Sequence, residues 1–344
     1  MLKQKKLISW ILILIAILVI SVFLSILIGS VNLPVGTTIR ILLHNLLGFD
    51  LPQTWTTGQE AIVMNLRLPR IFLSIVVGAM LSISGVAFQG VLRNPLADPY
   101  ILGVSSGAAL GAAFTILFLR NSQFVGPFTL PLFAFFGGLI SLVLVMLLAS
   151  FKNRRNNETL ILAGVIAQSF TGAILSFLIA ISGDQLKSIV FWMMGSLANN
   201  DWLDVWVLIP YFLLGMIYLV TQYKDLNVLA LGEQAAKHLG IDVEKKKIYI
   251  LLVASMLATS AVSIVGIIGF VGLVTPHLIR LLTGPDHRIL IPISTIAGAI
   301  FLLWADTLAR SVIPSREIPI GVITAFVGAP FFAYLLRRGL RRGN

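Results

Sequence analysis

Few residues of this chain have the types and spacing that catalysis requires. A nucleotide-binding P-loop needs Gly-Lys followed by Ser or Thr, and the 344 residues contain no Gly-Lys pair. No His-Glu-x-x-His motif is present, and the four histidines are scattered along the chain. The sequence has no cysteine, which excludes disulfides, thiolate metal sites and cysteine nucleophiles. We therefore predict no catalytic residue, no metal site and no cofactor bound by this chain.

Ionisable residues at mid-membrane depth would indicate an ion-driven carrier, because only function offsets their desolvation cost. Here the acidic residues lie in loops or at the ends of apolar segments, and Asp306 is the nearest to an exception. Asp306 precedes Arg310 by four residues, so the two can pair on one helix face. An ion pair near a helix end is favoured over a proton relay. Secondary transport is thus the disfavoured alternative, as is a membrane enzyme, which would need a polar catalytic cluster.

The most informative polar stretch is residues 226–247, which lies between two long apolar spans. Within it, residues 230–240 (ALGEQAAKHLG) predict a helix of two to three turns. Leu231, Ala235 and Leu239 repeat at a spacing of four residues and share one face of that helix. The apolar stripe fits a groove on a soluble partner, although an ordinary amphipathic loop helix explains the pattern about equally well.

Two further features of this stretch concern its charge and its end. Glu233 precedes Lys237 by four residues, the favourable orientation for an ion pair on a helix. Gly240 can end the helix in the left-handed conformation. Both features are consistent with a short, self-contained helix in this polar stretch.

The elements that position these residues are apolar and long. Hydrophobic residues make up 58% of the chain and charged residues 11%, a balance typical of membrane proteins. Because a span needs about 20 apolar residues, we predict an all-α polytopic protein with ten transmembrane helices. The predicted spans are residues 8–28, 66–88, 100–119, 129–150, 159–181, 203–222, 248–266, 268–283, 288–309 and 319–336. The run that contains Gly266, Gly269 and Gly272 is divided there, because one helix cannot cross twice.

The net charge of +11 would suggest nucleic acid in a soluble protein, but membrane topology explains it better. A cytoplasmic N-terminus places 18 of the 25 Lys and Arg residues inside, in agreement with the positive-inside rule. We therefore predict no nucleic-acid partner and two cytoplasmic termini. No flexible linker divides the chain, so residues 1–344 form one transmembrane domain, with residues 8–28 as its first anchor.

Four of the arginines on the predicted outer side, where the topology disfavours positive charge, lie close to the ends of spans. Arg67 and Arg70 precede the second span, and Arg310 and Arg316 lie near the last span. They could dock an acidic partner, since charged rims orient association, or they could be snorkelling anchors at the headgroups. Residues alone leave these two interpretations about equal.

Two long motifs of the chain resemble those of one family. Residues 67–113 contain NPLADPYILGVSSGA, and residues 269–288 contain GLVTPHLIR. Together with residues 230–242 and 316–336, they are similar to the FecCD-type permeases, the membrane subunits of type II ABC importers for iron–siderophores, haem and cobalamin. The resemblance implies the ten-helix permease fold and a cargo of iron(III)–siderophore or haem, with cobalamin as the alternative.

The resemblance also implies partners. Two cytoplasmic ABC ATPases would bind ATP and magnesium, a second permease copy or a sibling permease would complete the pathway, and an extracytoplasmic binding protein would deliver the substrate. The location would be the bacterial cytoplasmic membrane. ATPase coupling would fall to residues 226–247, the coupling loop, through Leu231, Gly232, Glu233, Ala236, Leu239 and Gly240.

The resemblance assigns two further groups of residues. Docking of the binding protein would fall to Arg67, Arg70 and Arg310. The inner gate would lie at Asn156, Asn157 and Glu158, although Glu158 departs from the small hydroxyl residues expected there. Small residues of the second and third spans would lie near the pathway, although tight packing between helices explains most of them. These small residues are Gly85, Ser105, Ser106 and Gly107.

Overall fold

The structure is a computed structural model that describes residues 2–29, 31–119, 126–149, 157–240, 242–313 and 316–342. Within these ranges the chain forms fifteen α-helices and no strand, so the predicted all-α class is confirmed. The helices are α1 Leu2–Leu27, α2 Val35–Leu47, α3 Thr57–Ala61, α4 Leu68–Leu92, α5 Val104–Phe114, α6 Thr129–Ala149, α7 Asn157–Ala180, α8 Leu186–Met193, α9 Trp202–Thr221, α10 Tyr223–Leu231, α11 Glu233–His238, α12 Val243–Val265, α13 Val271–Thr283, α14 His287–Ala309 and α15 Ile320–Arg342.

Seven apolar stretches of helix in the described residues are long enough to cross a membrane. They are Leu7–Leu27, Thr57–Leu92, Thr129–Ala149, Asn157–Ala180, Trp202–Thr221, Val243–Val265 and His287–Ala309. Three shorter apolar helices, Val104–Leu119, Val271–Thr283 and Ile320–Tyr334, coincide with the remaining predicted spans. The protein is therefore a multi-pass membrane protein, and the count of ten crossings stays a prediction.

The predicted interruption of the long apolar run near residue 266 is present. Helix α12 ends at Val265 and α13 begins at Val271. Gly266 has φ 76° and Phe270 has φ 69°, so both ends of the break are in the left-handed region. The Tyr100 hydroxyl donates a hydrogen bond of 2.8 Å to the Ile268 carbonyl, which satisfies one backbone group of this non-helical stretch.

Helix α4 occupies the centre of the bundle, whereas α1 lies at its edge. In the most apolar window of each span, 89% of the residues are buried for α4 with its preceding turns and 6% for α1. Small residues allow this central position, because they let neighbouring backbones approach closely. At Gly85 a Cβ atom would overlap the backbone carbonyl of Gly272 on α13. The crossing of α4 and α13 therefore depends on the absence of a side chain.

Candidate functional site

The coupling loop contains two short helices, not the continuous helix predicted for residues 230–240. Helix α10 ends at Leu231 and α11 begins at Glu233, with Gly232 between them at φ 121° and ψ 154°. Such a conformation is readily available to glycine alone. The prediction was wrong because the repeat of leucines continues across the break and conceals it.

The two leucines of the predicted stripe are exposed beyond the membrane spans. Leu231 is 69% and Leu239 64% exposed, whereas Ala236 is fully buried. Gly240 has φ 79°, so the predicted left-handed end of the helix is confirmed. The loop therefore presents two large apolar side chains at the end of the bundle predicted to be cytoplasmic, which we call the inner end.

The predicted ion pair between Glu233 and Lys237 is wrong. Glu233 instead accepts a hydrogen bond of 2.5 Å from the Nζ of Lys247, near the start of α12. Lys237 is exposed. The fold brings the start of α12 beside α11, so Lys247 pairs with Glu233 in place of the local lysine.

Helix α10 is held to two transmembrane helices by polar contacts. The Nζ of Lys246 lies 2.6 Å from the Oδ2 of Asp225 and joins α10 to α12. Asn227 accepts from the His287 backbone N–H at 2.8 Å and lies 2.8 Å from the His287 ring Nδ1. Its Nδ2 donates to the Asp286 carboxylate at 2.9 Å. The first helix of the coupling loop is therefore joined to the beginning of α14 as well as to α12.

The three arginines predicted to dock a partner lie at the opposite end, which we call the outer end, and all three are buried. Arg67 donates to the backbone carbonyls of Ile26, Leu27 and Val31. It thereby satisfies carbonyls in the last turn of α1, where the helix leaves backbone groups unpaired, and the Val31 carbonyl beyond it. Arg67 thus joins α1 to the helix that leads into α4.

Arg70 and Arg310 share one buried carboxylate. The Nε of Arg70 lies 2.8 Å from the Oδ1 of Asp306, and the Nε of Arg310 lies 3.6 Å from its Oδ2. Arg70 also donates from Nη1 to Glu317 at 2.8 Å, and Arg310 donates to Ser25. The predicted pairing of Asp306 with Arg310 is present, but Arg70 is the closer partner.

These arginines converge on a cavity of about 140 Å³ at the outer end. Arg67, Arg70, Arg310 and the half-exposed Glu317 line it. The structure brings the three predicted docking residues together and gives each of them an internal partner. Docking of a binding protein at this cluster stays a prediction.

The residues predicted near the gate and the pathway are found in several environments. Asn157 donates to the Leu92 carbonyl at 2.9 Å and joins α7 to the end of α4. Glu158 is exposed, and Asn156 lies outside the described residues. Their role as a gate stays a prediction.

The small residues of the second and third spans mostly join helices. Gly85 and Gly107 are buried at close helix crossings. Ser105 and Ser106 are half-buried, and Ser106 accepts a hydrogen bond of 2.8 Å from Thr171 on α7. Packing accounts for the two glycines, and a place beside the pathway stays a prediction for the group.

A larger cavity of about 690 Å³ lies at the outer end and was not predicted from the sequence. Its walls include aromatic side chains from α8 and from the segment before α6, and amides from the connection that follows α8. Examples are Phe128, Phe191, Trp192, Asn199 and Asn200. These segments are distant in sequence, so no local motif predicted that they would enclose one space.

A carboxyl group in the connection between α4 and α5 has a shifted pKa. Asp98 caps the short turn Pro99–Leu102 by accepting the Tyr100 N–H at 2.8 Å. Burial raises the pKa of Asp98 from 3.8 to about 6. The folded state therefore holds this proton more tightly than the unfolded state, and the contribution of Asp98 to stability decreases as the pH rises from 3.8 to 6.

Replacing Asp98 with Asn should raise the melting temperature of the purified protein at pH 8. The amide oxygen retains the cap to Tyr100 N–H, and the cost of burying a carboxylate is removed. At pH 5 the wild-type carboxyl is mostly protonated, so the advantage of Asp98→Asn should diminish. Thermal denaturation in detergent at both pH values measures it. An equal difference at both values would contradict the titration of Asp98 as the cause.

The comparisons with known proteins agree with this architecture. Residues 17–338 match the FecCD transport family. The chain is 45% identical over 291 residues to the cobalamin import system permease protein BtuC of Halobacterium salinarum, covering 85% of this chain and 76% of the relative. It is 38% identical over 289 residues to the hemin transport system permease protein HmuU of Yersinia pestis, covering 80% of this chain and 83% of that protein.

A solved structure also resembles this chain over nearly its full length. It is described as a metal-chelate type ABC transporter in an inward-facing conformation. The TM-score is 0.82 at 35% identity, and the match covers 97% of this chain and 99% of that one. The multi-pass helical bundle and the family match lead to one conclusion: the chain belongs to the FecCD transport family and is a permease of an ABC importer.

Proposed function

We propose that this chain forms the translocation pathway for a bulky metal chelate, an iron(III)–siderophore or haem, in the bacterial cytoplasmic membrane. ATP would be bound with magnesium and hydrolysed by two separate cytoplasmic ATPase subunits. Similarity to a hemin permease and to a metal-chelate transporter supports this cargo. A second copy of the chain or a sibling permease would complete the pathway, and both termini would be cytoplasmic.

The coupling loop is the observation that carries this proposal. It presents Leu231 and Leu239 to the space beyond the inner end, where a soluble partner can bury them. Its polar contacts reach both α12 and α14, so a displacement of the loop is transmitted to helices that pack against α4. A partner that changes shape during ATP hydrolysis would supply that displacement.

The outer end would receive an extracytoplasmic substrate-binding protein. The cluster of Arg67, Arg70 and Arg310 offers three guanidinium groups against the two carboxylates of Asp306 and Glu317. The three arginines are buried but line a cavity, so their excess positive charge would favour an acidic side chain of the partner that enters this cavity. The cavity of about 690 Å³ lies at the same end, and Glu317 lines both cavities. Docking would therefore place delivered substrate beside an aromatic and amide-lined space.

Cobalamin is the second candidate cargo. The relative named for cobalamin import is 45% identical to this chain, a higher identity than that of the hemin permease. Cobalamin and iron chelates are both large metal complexes, so the same width of pathway would serve either. The binding protein, as well as this chain, would therefore select which ligand is transported.

Transport in proteoliposomes tests the proposal. The chain, its ATPase and its binding protein should accumulate radiolabelled iron(III)–siderophore, haem or cobalamin against a gradient only when ATP is supplied to the ATPase side. The matched control contains the chain alone with an imposed proton or sodium gradient. Accumulation in that control would identify a secondary carrier and overturn the ATP-driven mechanism. Preferential uptake of cobalamin over the iron chelates would overturn the proposal that the cargo is an iron(III)–siderophore or haem.

A further inference from the structure

Three consecutive lysines at the start of α12 have three different acidic partners. The Nζ–carboxylate distances are 3.0 Å for Lys245 with Asp242, 2.6 Å for Lys246 with Asp225 and 2.5 Å for Lys247 with Glu233. Successive helical residues point about 100° apart. The run of lysines therefore contacts its own helix start, α10 and α11 in turn.

Burial distinguishes the last of these pairs from the first. The Lys245 side chain is 75% exposed, but that of Lys247 is 4% exposed. An ammonium group removed from water needs an opposite charge, and its loss leaves an uncompensated buried cation. The Lys247 pair is therefore the one whose disruption has structural consequences. The exposed pair of Lys245 contributes little.

The ion pair of Glu233 with Lys247 lies where α11 is flanked by a glycine on each side. Gly232 precedes α11 at φ 121°, and Gly240 follows α11 at φ 79°. Because the glycine backbone is permissive on both sides, the direction of α11 depends on its contacts, which include the buried Ala236 and this ion pair. Among the ion pairs of the described residues, the pair of Glu233 with Lys247 connects α11 directly to a transmembrane helix.

Helix α12 continues from this pair into the centre of the bundle. The Ala254 carbonyl on α12 accepts a hydrogen bond of 2.8 Å from Ser84 on α4. The two helices also pack against each other elsewhere in the bundle. A displacement of Glu233 can therefore pass through Lys247 and α12 to the central helix.

We infer that Lys247 is a positioning residue for ATP coupling, because its ion pair with Glu233 fixes α11 to α12. A partner that pushes on the loop then moves α12 and does not merely rotate α11 between its two glycines. Glu233 acts within the chain through Lys247 and need not touch the ATPase. This inference rests on the proposed function, in which a separate ATPase drives the loop.

Charge reversal and its restoration test the pair. In proteoliposomes with the ATPase and binding protein, Glu233→Lys or Lys247→Glu alone should lower substrate taken up per ATP hydrolysed at least about tenfold. The double variant E233K/K247E should recover to within about threefold of wild type, because it restores the opposite charges. The readout is the ratio of uptake to ATP hydrolysis, with ATPase co-purification measured alongside.

Lys237, the partner that the sequence predicted for Glu233, supplies the matched control. The double variant E233K/K237E restores the charge pair at a spacing of four residues and should recover nothing, since Lys237 is exposed and does not contact Glu233 in the structure. Recovery by E233K/K237E, or failure of E233K/K247E to recover, would overturn the inference. The second outcome would indicate that Glu233 binds the ATPase directly.

A measurement on the chain alone is independent of transport. Because the sequence has no cysteine, Lys237→Cys introduces a single site for a nitroxide label on the exposed side of α11. Lys247→Met should increase the mobility of that label in the electron paramagnetic resonance spectrum, and Lys245→Met should not. Unchanged mobility of the label in Lys247→Met would overturn the inference. This outcome does not depend on whether the charge-reversal variants of Glu233 and Lys247 can be assayed in proteoliposomes. Absence of ATP-driven uptake by the wild type would count against the proposed function instead.

Discussion

Replacing Asp306 with Ala should reduce the free energy of unfolding by about 3 to 5 kcal/mol, the cost of breaking a buried ion pair by removing one partner. Asp306 is fully buried and accepts hydrogen bonds from Arg70 at 2.8 and 3.1 Å. Arg310 lies beside it. The substitution leaves two buried guanidinium groups without their shared carboxylate. Fluorescence-detected size-exclusion chromatography after heating should show a clear loss of folded protein.

Glu317→Gln is the matched control for this prediction. Glu317 contacts the same Arg70 but has a side chain that is 45% exposed, so its pair contributes about 1 kcal/mol or less. Equal stability of the two variants would show that the buried network does not hold the outer end together. A proton relay at Asp306 would give a different pattern, with uptake abolished and stability unchanged.

Replacing Gly85 with Ala should also reduce the free energy of unfolding, by at least about 1 to 3 kcal/mol, because the added methyl group overpacks a tight contact. The added Cβ would overlap the Gly272 carbonyl oxygen. Both contacting groups are backbone, so no side chain can rotate away, and α4 and α13 must separate. The melting temperature in detergent and the yield of monodisperse protein measure the effect.

Gly172→Ala provides the comparison, because Gly172 lies within α7 and has open space where a Cβ would be added. In a helix Ala is favoured over Gly by about 1 kcal/mol, so this variant should be as stable as wild type or more stable. Normal stability of Gly85→Ala together with altered uptake would contradict the packing role. That result would favour the pathway role predicted from the sequence.

Local sequence patterns predicted the transmembrane elements well. Apolar runs are long and continuous, and a helix in lipid satisfies its own backbone hydrogen bonds, so composition over about 20 residues is sufficient. The break after Val265 was predicted because one long apolar run contained three glycines. The motifs NPLADPYILGVSSGA and GLVTPHLIR indicated the family, and the comparisons confirmed it.

Local patterns failed where the partner of a side chain comes from a distant part of the chain. The spacing of Glu233 and Lys237 suits an ion pair, but Lys247 reaches Glu233 from another helix. Arg70 was predicted at an exposed outer rim, yet Asp306 and Glu317 surround it after folding. Nothing near these residues in the sequence identifies such partners.

Composition and contiguous motifs were enough to predict the membrane environment, the positions of the apolar helices and the family. They could not predict which charges are buried together, where the coupling loop bends or which segments enclose the outer cavity. These features arise when helices from distant parts of the chain meet. A buried charge is costly without a partner, so it pairs with a group that packing brings close, whatever the distance along the chain: Asp306 for Arg70, and backbone carbonyls for Arg67.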